Sequence, residues 1–305
     1  MSKWQKNITL ILVVIITATC GVISTISYTQ ALNLITHPLE KRLPIKKVPK
    51  DYNLPYRDII VTNVNGQKLV GWYIPSRNGA VVMVQHGYKL DRTEMLEEAL
   101  MLCRRGYGVL LTSIRAHDMS EGEQISFGHS EMQDIEEWYQ YLLTCDDVDS
   151  FRIGILGNSM GGSLAIQYAA QNKNIKAVVV HSAFSSLKDT ISVSIKHFTG
   201  LPSFPFTSMI VFWAEKVLGF NIADIDATEW IQSISPRPVF LMHGGRDDKI
   251  SIKSGELLYK AAKEPKTLWY EPTLNHAEFD KKLPEEYERR VIGFFDRYLL
   301  DTERF

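Results

Sequence analysis

From residue 80 onward the chain alternates between two kinds of segment. Short unbroken apolar runs occur at AVVMVQ (80–85), GVLLTS (108–113), IGIL (153–156), IKAVVVH (175–181) and PRPVFLMHG (236–244), with KTLWYE (266–271) as the last. Between them lie stretches with helical spacing: TEMLEEALMLCRRG (93–106), SEMQDIEEWYQYLLT (130–144), the residues after Ser159, about 252–262 and about 284–300. Strands buried on both faces read as continuous apolar runs rather than as an apolar/polar alternation. Their regular exchange with helices implies βαβ units, hence an α/β fold with a mostly parallel sheet and helices on both faces. The 305 residues fit one large α/β domain or two small ones, and 45% hydrophobic residues can fill a sizeable core.

Two segments depart from the rhythm. DIIVTNVNGQKLVGWYIP (58–75) reads as a hairpin, with Asn65-Gly66 supplying the positive φ angles of a tight two-residue turn. From about 184 to 231 the strands stop, and Phe198, Phe204, Phe206, Phe212, Trp213 and Phe220 accumulate. This is too long for an ordinary connection, so we expect a helical insertion forming a lid over one end of the sheet; a longer crossover helix is the alternative.

The N-terminus has a different character. Lys3 and Lys6 precede a charge-free stretch that lasts to Glu40, and Ile8 to Ile26 would span about 28 Å as a helix at about 1.5 Å per residue. That matches a bilayer core of about 30 Å, so residues 1–37 are expected to be an uncleaved single-pass membrane anchor. A cleaved signal peptide is the competing reading, with Thr29-Gln30-Ala31 a poor small-x-small end. Lys3 and Lys6 favour a cytoplasmic N-terminus and an extracytoplasmic domain, but EKRLPIKKVPK (40–50) places five basic residues beyond the span and competes. That cluster belongs to a linker, 38–57, stiffened by Pro44 and Pro49; it suits contact with anionic headgroups or plain solvation equally. The remaining chain, 58–305, is expected to be the α/β domain with its insertion. A net charge of −1 gives no reason to expect nucleic acid as a partner. Three cysteines, Cys20, Cys103 and Cys145, form no CxxC or Cys/His cluster, so neither a disulfide framework nor a metal site is indicated.

The chemistry is carried by GNSMGG (157–162), set between an apolar run and a helix. A serine hydroxyl is a poor nucleophile that needs a base and an exposed position. A sharp strand-to-helix turn provides the position but crowds the backbone, so the residues two before and two after must be small; these are Gly157 and Gly161. The turn also aims the amide of Met160 at the place where negative charge develops, and the loop HGY (86–88) after an earlier strand offers the Tyr88 amide as the second oxyanion donor. Of eight histidines, His276 lies in a loop between the last strand and last helix, from which it can return over the sheet edge to Ser159. His181 is a weaker alternative. His86 and His243 suit packing, and His37, His117, His129 and His197 sit in linker, loop or lid without an evident anchor. The orienting acid should follow the preceding strand, where HGGRDDKIS (243–251) offers Asp247, favoured by its offset, and Asp248.

The order Ser159, Asp247, His276, with the GNSMGG turn and the HGY loop, resembles the α/β-hydrolase superfamily over about residues 56–305, and within it the membrane-anchored bacterial hydrolases grouped as serine aminopeptidase-like or Bem46-like. TSIRAHDMSEGE (112–123) resembles a family loop in which glycines stand where this chain has Ala116 and Asp118. The resemblance implies a carboxylic ester or thioester hydrolase acting on a small acyl substrate through an acyl-enzyme, with no cofactor. An aromatic-lined lid would receive the acyl or aromatic group. A serine peptidase is the alternative and would need acidic groups, such as Glu215, to hold a substrate amine; a non-catalytic membrane-tethered binding protein is the remaining one.

Overall fold

The computed structural model describes residues 2–301, and each apolar run in it is a strand. The hairpin β1 (Arg57–Thr62) and β2 (Lys68–Ile74) leads into β3 (Val81–Gln85), β4 (Gly108–Thr112), β5 (Ile153–Asn158), β6 (Ile175–His181), β7 (Val239–Gly244) and β8 (Lys266–Glu271). Spatial order is β1-β2-β4-β3-β5-β6-β7-β8. The pairs β1–β2 and β2–β4 are antiparallel and the rest parallel. Strands β3, β4, β5 and β7 are buried at every position, which explains why their sequences lack alternation.

The helices are α1 (Lys3–Ile35), α2 (Leu96–Arg104), α3 (Glu131–Leu143), α4 (Met160–Gln171), α5 (Leu187–Thr199), α6 (Ser203–Leu218), α7 (Ala227–Ile231), α8 (Lys253–Ala261), the single turn α9 (Phe279–Lys282) and α10 (Pro284–Phe295). They form two cores, one on each face of the sheet. Val81, Met83, Ile153, Ile155, Val178 and Val180 face α3, α4 and the insertion. Their neighbours Val82, Val84, Leu156, Ala177 and Val179 face α2 and α10. The two-residue period of a strand thus divides each apolar run between the two layers. This is the α/β-hydrolase fold that the sequence indicates.

The hairpin turn differs from expectation. The connection is three residues, Val64-Asn65-Gly66, closed by Gly66 N–H to Asn63 O at 2.9 Å and Asn63 N–H to Gln67 O at 2.9 Å. Within the Asn65-Gly66 pair only Gly66 takes a positive φ, 77°. The cause is Asn63, whose Oδ1 accepts from the amides of Asn65 and Gln67 and organises the turn one residue earlier.

The stretch after β6 holds α5, α6 and α7. It leaves and re-enters the domain at one point, where Leu187 N–H bonds Ile225 O and Ala227 N–H bonds Ser185 O. The loop 112–123 keeps a left-handed backbone without glycine: φ is 60° at Ala116 and 48° at Asp118. Asp118 is held there by Arg92 at 3.0 Å and by the Ser113 hydroxyl at 2.8 Å.

Helix α1 is exposed from Lys3 to Val22, then joins the domain, burying Ser27, Ala31 and Ile35. Its exposed apolar part is long enough to cross a membrane. The last turns of α1 thus pack into the domain core through Ala31 and Ile35. Beyond them Arg42, one of the five basic residues, donates to the carbonyls of His37, Asp118, Ser120 and Gly122, so this side chain is docked on the domain.

Candidate active site

Ser159 stands between β5 and α4 with φ 55° and ψ −118°, a left-handed conformation that L-residues avoid. The strain is imposed by close packing. A Cβ on Gly157 would lie 2.1 Å from Gly161 O, and one on Gly161 would lie 2.3 Å from Gln85 O and 2.5 Å from His86 O. The two glycines let the start of α4 press against the end of β3, which brings the elbow beside the loop that follows β3. The amide of Ser159 is fixed on His181 O at 2.8 Å.

Loops after β7 and β8 bring the two partners. Asp247 Oδ2 lies 2.7 Å from His276 Nδ1, and His276 Nε2 lies 2.9 Å from Ser159 Oγ. A carboxylate only accepts, so Nδ1 carries the proton and donates to Asp247, leaving Nε2 to accept from the serine hydroxyl. Asp247 Oδ1 accepts from the amides of Lys249 at 3.0 Å and Ile250 at 2.8 Å. Burial would raise the Asp247 carboxyl, but the His276 hydrogen bond and charge, with the Ile250 amide, outweigh it and hold the group below its ordinary range. Asn275 Oδ1 accepts from the amides of Asp248 and His276 and so couples the two loops. Asp248 itself points away, 3.7 Å from His197 on α5.

The other histidines fall into structural places. His181 is buried among Phe279 and Tyr287, and burial lowers it to about 3. His243 is buried 3.7 Å from Asp247. His129 stacks on Phe220 at 4.2 Å. His37 and His117 are not unanchored as their loop positions suggest. His37 Nδ1 donates to Ala116 O at 2.9 Å. His117 is fully buried, donates to Arg115 O at 2.7 Å, and accepts the Lys89 amide at 2.9 Å. Burial holds its pKa well below the usual imidazole range, which keeps Nε2 free to accept.

The loop after β3 is therefore held from several sides. His86 donates to Gly87 O and accepts the Ile114 amide. Glu94 takes the Gly87 amide at 2.6 Å, and its other oxygen takes Asn158 Nδ2 at 2.7 Å. Gly87 precedes Tyr88 and Asn158 precedes Ser159, so one carboxylate ties together the two segments that carry the candidate oxyanion amides, those of Tyr88 and Met160. The Met160 amide opens α4 and is one of the helix-start donors with no intrahelical partner. Sequence reasoning missed Glu94: it sits in an ordinary helix-entry turn, DRTEM, and nothing local distinguishes it.

Ser159 and His276 open into a cavity of about 560 Å³. Helices α5 and α6 present aliphatic Leu187, Ile191, Ile195 and Ile210; the aromatic walls are Tyr88, Phe127 and Phe184, the last at the start of the insertion, and α1 contributes Gln30, Asn33 and Leu34. The aromatic lid lining expected from the sequence is not met by Phe204, Phe212 or Trp213, and the Phe198 side chain lies outside the described residues. Phe204 is 85% exposed, Phe212 is 45% exposed, and Trp213 packs edge-on against Tyr28 of α1. Glu215 is not a pocket acid either: it accepts the Ile222 amide at 3.0 Å. The arrangement can deprotonate a serine, stabilise an oxyanion and house an apolar group beside both.

The Peptidase_S9 profile, the prolyl oligopeptidase family, matches residues 95–302. An uncharacterized protein of Mycobacterium tuberculosis is 29% identical over 251 residues, covering 81% of this chain and 80% of the relative. The Arabidopsis thaliana α/β hydrolase domain-containing protein WAV2 is 25% identical over 274 residues, covering 85% and 84%. Among solved structures, the Pyrococcus furiosus esterase Pf2001 superposes with a TM-score of 0.72 at 28% identity, covering 85% of this chain and 98% of that one. The Pyrococcus horikoshii acylaminoacyl peptidase shares the fold at TM-score 0.66 and 19% identity, over 83% of this chain and 43% of that one.

Proposed function

Given that the chain belongs to the prolyl oligopeptidase family and is an α/β-hydrolase enzyme, we propose that it cleaves carboxylic esters or thioesters through an acyl-enzyme on Ser159. The observation that carries this reading is the pair of contacts of 2.9 Å and 2.7 Å linking Ser159, His276 and Asp247 at the mouth of an apolar cavity. Ser159 Oγ attacks the carbonyl carbon as its proton passes to His276 Nε2. The carbonyl electrons move to oxygen, and the amides of Tyr88 and Met160 receive the oxyanion. Collapse expels the alcohol or thiol, which takes the proton from His276; a water then repeats the sequence and releases the acid. Asp247 holds the imidazole tautomer and stabilises the imidazolium.

The esterase title of the Pyrococcus furiosus relative supports the ester reading. The family's name and the Pyrococcus horikoshii acylaminoacyl peptidase favour a peptidase as the second reading. Against it, Glu215 caps a backbone amide, and both oxygens of Glu94, which lines the cavity, are engaged. A fluorophosphonate probe on wild type and Ser159→Ala, followed by p-nitrophenyl esters of increasing chain length and a panel of short peptides, separates the readings. Labelling and ester turnover that vanish in the variant support the proposal. Labelling with peptide turnover alone refutes the ester reading, and no labelling of folded wild type refutes the nucleophile.

The same proposal places α1 as an uncleaved anchor. Its exposed portion, Lys3 to Val22, spans about 30 Å at about 1.5 Å per residue. Cleavage after Ala31 would remove Ser27 and Ala31 from the core. Lys3 and Lys6 at the cytoplasmic side put the hydrolase domain outside, and protease protection in intact cells tests that orientation.

A further inference from the structure

We infer that the C-terminal turn of α1 is a positioning element of the oxyanion loop, gripping Tyr88 and Lys89 through the carbonyls of Leu34 and Asn33, so that the site is complete only when the membrane helix is seated. The inference rests on the hydrolase reading above.

The last four carbonyls of a helix have no partner within it. In α1 each finds one. Leu32 O accepts from the Thr36 amide at 2.9 Å and the Thr36 hydroxyl at 2.7 Å. Asn33 O accepts from Lys89 Nζ at 2.5 Å. Leu34 O accepts from the Tyr88 hydroxyl at 2.7 Å. Ile35 O accepts from the Ile125 amide at 2.8 Å. Two of the four caps thus come from consecutive residues of the loop after β3. An ammonium at this end also complements the partial negative charge of the helix terminus.

The grip acts at the atom that matters. Glu94 fixes the amide before Tyr88 and His117 fixes the one after it. The carbonyl of the Gly87–Tyr88 peptide is held by His86 at 2.8 Å, and the anchored Tyr88 side chain braces the same peptide from its other end. The ring stacks on Phe127 at 5.7 Å and its hydroxyl ends on α1. Lys89, at φ 54°, is a left-handed residue that its contacts keep in place. The same helix turn continues as cavity wall through Asn33 and Leu34. On the far side α1 is clasped by α6, where Trp213 Nε1 donates to Ser24 Oγ at 3.2 Å. The chain that enters the membrane is thereby part of the wall, of the lid contact and of the oxyanion support.

The test uses the full-length protein in detergent micelles, with wild type, Tyr88→Phe, Lys89→Met and the double variant. The readouts are kcat and KM on p-nitrophenyl butyrate counted per titrated site, the Ki of phenylboronic acid as a tetrahedral mimic, and the melting temperature. A misplaced oxyanion donor lowers kcat by about ten- to a hundredfold in the double variant while KM stays within about twofold. The boronate Ki rises in the same proportion. Per-site kcat and Ki within about twofold of wild type overturn the inference, as does a loss confined to the fraction of folded sites. Failure of the wild type to label with fluorophosphonate or to turn over any ester or peptide refutes the underlying hydrolase reading instead.

Discussion

Replacing Glu94 by Gln should separate activity from stability. The carboxylate accepts from Gly87 N at 2.6 Å and from Asn158 Nδ2 at 2.7 Å. An amide keeps one acceptor and turns an NH2 toward the other donor, so one hydrogen bond to a charged acceptor, worth about 1.5–3 kcal/mol, is lost. If that loss falls on alignment of the two amides in the transition state, kcat drops by about ten- to a hundredfold at about 1.4 kcal/mol per tenfold. Stability should not follow. Burial, partly offset by the Gly87 amide and the Lys281 and His276 charges, raises the Glu94 carboxyl from 4.5 to about 7. The folded state therefore keeps a proton through pH 4.5 to 7 that the unfolded chain has released, and stability from this group falls as pH rises through that window. The total is about 3 kcal/mol. Glu94→Gln has no such penalty above pH 7, and this offsets the lost hydrogen bond. The assay is ester turnover at pH 8 together with melting temperature from pH 5 to 8. We expect a weakened enzyme whose melting temperature equals or exceeds wild type at pH 8 and falls below it at pH 5. A variant with wild-type kcat, or one destabilised equally at both pH values, refutes the reasoning.

Three further outcomes follow from single sites. Gly161→Ala would set a Cβ 2.3 Å from Gln85 O, backbone that cannot yield without moving the oxyanion loop; turnover should fall more than about a hundredfold, measured against soluble ester. Asp134→Ala would strip the Arg115 guanidinium of a bidentate partner, with both side chains buried, and should destabilise by about 3–5 kcal/mol in a denaturant titration. Ala116→Gly relaxes a residue at φ 60° but deletes a fully buried methyl worth about 0.8 kcal/mol, so the two should nearly cancel and stability should stay within about 1 kcal/mol with ester turnover unchanged; a loss above about 2 kcal/mol in a denaturant titration would contradict the strain argument.

The alternation of segments foretells the strands, their parallel pairing and the chain order of Ser159, Asp247 and His276, because each is a matter of spacing along a few residues. The glycines at 157 and 161 are legible for the same reason: a sharp turn needs them at fixed offsets. Reading fails where a side chain's partner lies far along the chain. Nothing near Glu94 announces that it will meet Asn158, 64 residues on. His117 sits in a loop rich in small and polar residues, yet that loop folds inward and buries it under Lys89. The lid aromatics illustrate the same limit. Composition places them in one insertion, but which face of α6 meets the cavity is settled by where α1 lies, and α1 draws Trp213 to itself.

The N-terminal segment divides most sharply along this line. Its sequence determines a helix apolar and long enough to cross a bilayer, since hydropathy and length are properties of the segment alone. That its final carbonyls should be capped by Tyr88, Lys89 and Ile125, and that Leu34 should become a wall of the cavity, is decided only when residues more than fifty positions apart are brought into contact. Local propensity sets which elements form; the pairing of unsatisfied polar groups and apolar faces between elements sets what they do together, and that pairing exists only in the folded chain.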